Sequence, residues 1–205
     1  MKSYIIFLFC ITVACNKPAR KLPYYNSPEF TPVWEKPVDT AFHRIRSFAV
    51  TDQQGKLFTE KDMGRRICVV DFFFTACPGI CPKLTASMDS LQKEFATDKN
   101  ILLLSYSVTP DRDSVPVLQK YAAEHNVQYK HWRLLTGSRA EIYDLGRHYY
   151  FVEEDEGIKR PDSVFLHTEN FVLIDKDRYI RGIYNGLDKN SMQALINDVK
   201  VLEEE

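Results

Sequence analysis

Two nearly continuous apolar runs set the frame for any fold this chain can adopt. Ile67-Cys68-Val69-Val70-Asp71-Phe72-Phe73-Phe74 and Ile101-Leu102-Leu103-Leu104-Ser105-Tyr106-Ser107-Val108 are rich in aliphatic and aromatic side chains. They lack the alternation of a half-solvated strand, which is the pattern of strands buried on both faces. Between them, Pro82 to Phe95 sets Leu84, Met88, Leu91 and Phe95 at helical spacing, and Ser114 to His125 does the same with Val117, Leu118, Tyr121 and Ala122. Residues 47–52 and Leu57-Phe58 read as a strand and its return ahead of the first run. After the second run come a short strand at Trp132–Leu135 and a capping box, Ser138-Arg139-Ala140-Glu141, opening a helix to about Tyr150. A hairpin of residues 171–175 and 179–184 turns on Lys176-Asp177-Arg178, and an amphipathic helix spans 191–202. Strands alternating with helices predict an α/β domain with a central mixed sheet flanked by helices. The closing antiparallel hairpin and helix narrow it to a thioredoxin-like fold.

Composition agrees with one such domain. Of 205 residues, 44% are hydrophobic and 13% aromatic, which excludes a disordered chain. The 27 Lys+Arg against 28 Asp+Glu leave no basic excess for nucleic acid. Arg65-Arg66 and the group Lys17, Arg20 and Lys21 are too small to supply one. The domain is expected to span residues 42–205, behind two segments of a different character. Residues 1–15 are a short positive start, an apolar run from Tyr4 to Val13, and Ala14-Cys15. This resembles a bacterial lipoprotein signal, with Cys15 as the lipidated residue, although Thr12 stands where Leu is preferred. An ordinary secretory signal is the alternative. Residues 16–41 hold five of the ten prolines, at 18, 23, 28, 32 and 37, and read as an extended tether. Tyr24, Tyr25, Phe30 and Trp34 suggest that part of it packs on the domain. The expected location is the bacterial cell envelope, lipid-anchored and facing the periplasm or exterior.

The chemistry concentrates where the first buried strand ends. Cys10 and Cys15 belong to the signal segment, and Cys68 within the strand reads as an inert small hydrophobe. Cys77 and Cys81 stand in Phe74-Thr75-Ala76-Cys77-Pro78-Gly79-Ile80-Cys81-Pro82, at the junction of strand and helix. Helix N-terminal amides favour anions, so at least one of these thiols should have a lowered pKa. The three-residue spacing permits a disulfide, and two thiolates are soft ligands suited to Cu(I) or Zn(II). Of the five histidines, His43 precedes the fold and His125 ends a helix. His131 and His148 read as half-buried surface groups. His167 lies in the loop before the hairpin, which in a thioredoxin-like fold packs against the cysteine loop. A loop histidine with a structural role stays open as the alternative. Met63, Met88 and Met192 form no methionine-rich stretch, and residues 153–160 read as a solvated loop, or alternatively a docking flap.

The chain resembles the Sco/SenC family of copper-binding assembly factors for cytochrome c oxidase. The likeness covers about residues 42–200. It rests on the stretch from FAVTDQQGKLF through DFFFTACPGICP, on SVTPDRDSVPVLQKYA, on WRLLTGSRAEIYDLGRHYYF and on FLHTENFVLID. The resemblance implies that Cys77, Cys81 and His167 bind one copper ion, Cu(I) or Cu(II), and that Cys77 and Cys81 cycle between dithiol and disulfide. It implies a copper-site subunit of cytochrome c oxidase and a thiol reductant as partners, and no nucleic acid. Delivering copper transforms nothing, so the chain would be a chaperone more than an enzyme. The alternative is a metal-free thiol-disulfide oxidoreductase acting on exported proteins, in which Cys77 attacks and Cys81 resolves. Such an enzyme has no need of His167, and the nearest proline upstream of it, Pro161, does not occupy the usual cis-proline place. Two positions depart from the family pattern: Thr109 and Leu166 stand where Asp is usual. At 166 this removes a carboxylate that would orient the imidazole.

Overall fold

The computed structural model describes residues 20–153, 166 and 168–205. In chain order the described elements are β1 (Tyr24–Tyr25), β2 (Pro32–Val33), β3 (Ala49–Asp52), β4 (Leu57–Thr59), α1 (Glu60–Met63), β5 (Ile67–Phe73), α2 (Cys81–Glu94), β6 (Ile101–Ser107), α3 (Val115–Glu124), β7 (Trp132–Thr136) and α4 (Arg139–Asp144). A π-helical turn over Leu145–Tyr149 follows, then β8 (Asn170–Ile174), β9 (Ile180–Asn185) and α5 (Lys189–Glu204).

The described strands form one mixed sheet in the order β2-β1-β9-β8-β5-β6-β7-β3-β4. Its centre is parallel: β5 pairs with β6 from Ile67↔Ile101 to Phe73↔Ser107, and β6 pairs with β7. Both flanks are antiparallel, through β8 on β5 and β3 on β7. Every residue of β5 and β6 is buried, because the sheet is covered on both faces. Ile67, Val69 and Phe73 face Leu84, Met88 and Leu91 of α2, Leu118 of α3 and Leu195 and Val199 of α5. Cys68, Val70 and Phe72 face the opposite way, into Phe48, Tyr106, Ile142, Tyr143 and Tyr150. Each buried aliphatic or aromatic side chain contributes about 1.5–3 kcal/mol of transfer free energy. This two-sided core explains the absence of alternation in the two runs.

Several local features differ from the sequence expectation. The helix expected from Ser138 to Tyr150 is α only to Asp144 and then widens into the π-helical turn. There Gly146 lies so close to its neighbours that a Cβ would stand 2.6 Å from Leu166 Cδ1 and 3.1 Å from Phe72. The capping box is half made: the Glu141 amide donates to Ser138 Oγ, but the Glu141 carboxylate is taken by Arg46. Helix α5 starts at Lys189 because Asp188 caps it, accepting from the Ser191 amide at 2.7 Å. His131 is 6% exposed rather than half-buried. His43 packs on Phe151 and Tyr149 and bonds the Tyr149 carbonyl. Glu153 is not part of a solvated loop: its carboxylate pairs with buried Arg147 at 2.7 Å. Residues 154–165 lie outside the described set.

The proline-rich stretch lies on the domain from Leu22 onward. Leu22, Tyr24 and Ile45 are buried. Tyr24 packs edge-on against Phe42 and Tyr179, and β1 pairs with β9 at Tyr25↔Ile180. Pro32 sits in the edge strand β2, where a missing N–H costs no ladder bond. Among the described residues no helix is long and apolar enough to cross a membrane.

Candidate metal centre

The candidate centre is built at the carboxyl end of β5. The strand is fully buried to Phe73, and the chain then turns over Thr75–Ile80 into α2, whose first residue is Cys81. Pro82 suits the first helical turn, where its missing N–H has no partner to lose. The N-cap position, Ile80, offers no side-chain cap. The backbone N–H groups of Gly79, Ile80 and Cys81, at the turn into this helix, are among the causes that favour ionisation of Cys77.

This arrangement splits the two thiols. Burial opposes ionisation of Cys77, but hydrogen bonds from the Cys81 thiol and the three amides outweigh it and hold Cys77 below its ordinary value. Cys81 is 5% exposed, and burial pushes its thiol up to about 12, assisted by the neighbouring Cys77. The two thiols thus shift in opposite directions, Cys77 down and Cys81 up. Both cysteines are free, as is Cys68, whose thiol burial raises to about 12. The sequence expectation of one activated thiol at this helix end and one inert thiol in the strand matches this division.

The loop is held from behind by Asp113, which is 1% exposed. Its Oδ1 accepts from Thr75 Oγ1 at 2.6 Å. Its Oδ2 accepts from Ser107 Oγ at 2.5 Å, Thr109 Oγ1 at 3.0 Å and the Thr75 amide at 3.3 Å. Thr109, one of the two departures from the family pattern, thus serves as a donor to a neighbouring carboxylate. The other departure, Leu166, is 1% exposed and belongs to the apolar cluster around Phe72 and Tyr150, so nothing polar is supplied there. Beneath α2, Asp71 is wholly buried, and its Oδ1 has no hydrogen-bond partner. Burial raises its pKa to about 7, against a hydrogen bond from Ser105. Nothing in the sequence pattern marked Asp113 or Asp71. Only the depth of their neighbours does.

His167 lies outside the described residues, as does Cys15. Among the described residues no group of three His, Cys, Asp or Glu could hold a metal ion. The register does fix where the chain enters β8: Val70 stands opposite Val172, so Asn170 begins the strand beside the carboxyl end of β5, the edge from which the cysteine loop departs.

With this geometry in hand, the likeness to known proteins is specific. A family model described as SCO1/SenC matches residues 38–202. The chain belongs to the SCO1/SenC family. A SCO1/SenC family lipoprotein from Bacillus anthracis strain Ames is 29% identical and superposes with a TM-score of 0.68 over 82% of this chain and 98% of that one. BsSco, a member of the Sco family of cytochrome c oxidase assembly proteins in which a disulfide switch was identified, is also 29% identical, with a TM-score of 0.65 over 82% and 96% of the two chains. Arabidopsis thaliana ScoI, solved with copper bound, is 24% identical with a TM-score of 0.55 over 78% and 98%, a likeness of fold. The mixed sheet flanked by helices is thus the thioredoxin-like Sco fold.

Proposed function

We propose that this chain is a lipid-anchored copper carrier of the bacterial cell envelope, serving the assembly of cytochrome c oxidase. Cys77, Cys81 and His167 take one copper ion as cargo and pass it by ligand exchange to the copper-site subunit of the oxidase. Cys15 carries the anchor, and residues 16–21 link it to the domain. The observation that carries this reading is the thiol pair itself: two free soft donors, Cys81 opening α2 and Cys77 in the turn before it, with the pKa of Cys77 lowered and that of Cys81 raised. Soft thiolates select Cu(I), and an imidazole added to them accommodates Cu(II) as well. Family membership supports the choice of metal, since a Sco protein has been solved with copper bound. The register of β8 supports His167 as the third ligand, because Asn170, three residues on in sequence, begins that strand beside the carboxyl end of β5.

The same pair supports a second activity, thiol-disulfide exchange. A lowered Cys77 beside a raised Cys81 is the division expected of an attacking and a resolving thiol. The two activities exclude each other at any instant, since the disulfide offers no thiolate to Cu(I), and a reductant must restore the dithiol.

Titration of the reduced chain with Cu(I) and Cu(II), beside Cys77→Ser and His167→Ala variants, tests the assignment. One copper per chain is expected, with a thiolate-to-Cu(II) charge-transfer band that Cys77→Ser abolishes and His167→Ala weakens. If His167→Ala binds copper like the parent, the imidazole is not a ligand and thiol exchange becomes the better reading.

A further inference from the structure

We propose that Asp113 is the positioning residue of the cysteine loop, and that its buried carboxylate sets both the dithiol–disulfide equilibrium of Cys77 and Cys81 and their hold on copper. This rests on the reading above that these two thiols are the working groups. Four donors converge on the carboxylate: the Thr75 amide and the hydroxyls of Thr75, Ser107 and Thr109. All four are neutral, and among the described residues no ion pair to Asp113 is found. A buried carboxylate without a counter-ion is costly, and it persists only where its hydrogen-bond shell is complete. The donors come from the cysteine loop, from the end of β6 and from the turn before α3. The carboxylate therefore ties together three segments that would otherwise meet only at the sheet edge.

Thr75 is the link to chemistry. It lies two residues before Cys77, and it is held through both its amide and its hydroxyl. Fixing Thr75 fixes the start of the turn that carries Cys77 into α2, whose first residue is Cys81. A loop free to relax would no longer hold the Cys77 sulfur in one place relative to Cys81. Closing the disulfide requires the two Cys residues to approach within a narrow range of separations, so the same restraint also biases the oxidised state.

The experiment compares the full chain with its Asp113→Ala, Thr75→Val and Asp113→Asn variants, reading the equilibrium constant of the Cys77–Cys81 pair against glutathione and the Cu(I) affinity against a competing chelator. Asp113→Ala removes all four acceptor contacts and should shift the redox equilibrium by about tenfold or more. Thr75→Val removes only one charge-assisted bond and should shift it by about threefold. Asp113→Asn should shift it least. An Asn carboxamide oxygen can take the Oδ2 contacts while its NH2 donates to the Thr75 hydroxyl. Copper affinity should fall in the same order. Should Asp113→Ala fail to fold, Thr75→Val decides, because it leaves the carboxylate and its other donors in place. The proposal is overturned if the variants melt at lower temperature yet keep the parent's equilibrium constant, which is the mark of a purely structural role. It is also overturned if Asp113→Asn shifts as far as Asp113→Ala, since charge and not placement would then be at work. A parent that binds no copper refutes the carrier reading, while the glutathione equilibrium still judges Asp113.

Discussion

The two ends of the central sheet are built on the same device with opposite charge. At the carboxyl end of β5, Asp113 is buried and gathers donors from the cysteine loop and its neighbours. At the other end, Arg181 is 3% exposed and gathers acceptors: the Leu22 and Pro23 carbonyls, Asp175 and the carboxylate of Glu205. Its guanidinium also lies 3.9 Å from the centroid of the Tyr24 ring. β5 has seven residues, so the two ends stand roughly 20 Å apart. Arg181 is enclosed by paired acids, backbone carbonyls and an aromatic face, and it holds scaffold segments only: the Leu22–Pro23 stretch, the β8–β9 turn at Asp175, and Glu205 after α5. Asp113 holds a loop that carries Cys77, whose thiol lies below its ordinary value. A buried ion with a complete set of partners thus locks structure at one end and tunes reactivity at the other. What differs is the chemistry of the segment being held.

This contrast can be broken most forcefully at the arginine. Arg181→Leu leaves Asp175 and Glu205 without their partner and should cost about 3–5 kcal/mol of stability by denaturant titration. Below the transition, the alkylation rate of Cys77 should stay at the parent value. A change in that rate would show that the two ends are coupled.

The thiols sharpen the comparison, since Cys68 lies toward the arginine end and Cys77 at the aspartate end. Cys68 is pushed up to about 12 by burial, whereas Cys77 lies below its ordinary 9.0, so their thiolate fractions at neutral pH differ by at least about a thousandfold. Mass-spectrometric mapping of iodoacetamide labelling in the folded, reduced chain should find Cys77 modified and Cys68 untouched. Comparable labelling of the two would contradict the division.

A smaller effect comes from Asp71, between the two ends. Burial raises its pKa from 3.8 to about 7, so the folded state binds a proton more tightly than the unfolded one. Its contribution to stability is fully present below pH 3.8 and is lost as pH rises through about 7. At about 1.4 kcal/mol per unit, the loss is at most about 4 kcal/mol. Urea midpoints of the parent and of Asp71→Asn at pH 4.5 and 8 should converge at the lower pH, with the variant more stable at the higher.

What could be read from the sequence follows from how local each cause is. The buried strands, the helices and the cysteine loop announce themselves within a dozen residues, because apolar runs and a strand–Cys–Pro–helix junction are contiguous signals. Arg181 could not be seen, because it bonds to Leu22 and Pro23, more than 150 residues away in sequence. Asp113 could not be seen either: its donors are at 75, 107 and 109, and Thr109 registered only as a missing Asp. Within the π-helical turn, Gly146 approaches Leu166 and Phe72 closely, a contact that no helix periodicity encodes. From sequence His43 reads as preceding the fold, because its neighbours, Tyr149 and Phe151, lie more than a hundred residues further along.

X-ray absorption at the copper edge, on the reduced chain loaded with one equivalent of Cu(I), tests the copper assignment most directly. The expected spectrum contains two sulfur ligands and one imidazole, with the imidazole signal lost in His167→Ala and one sulfur lost in Cys77→Ser. Copper that washes away on desalting, or a first shell that neither substitution alters, would contradict it.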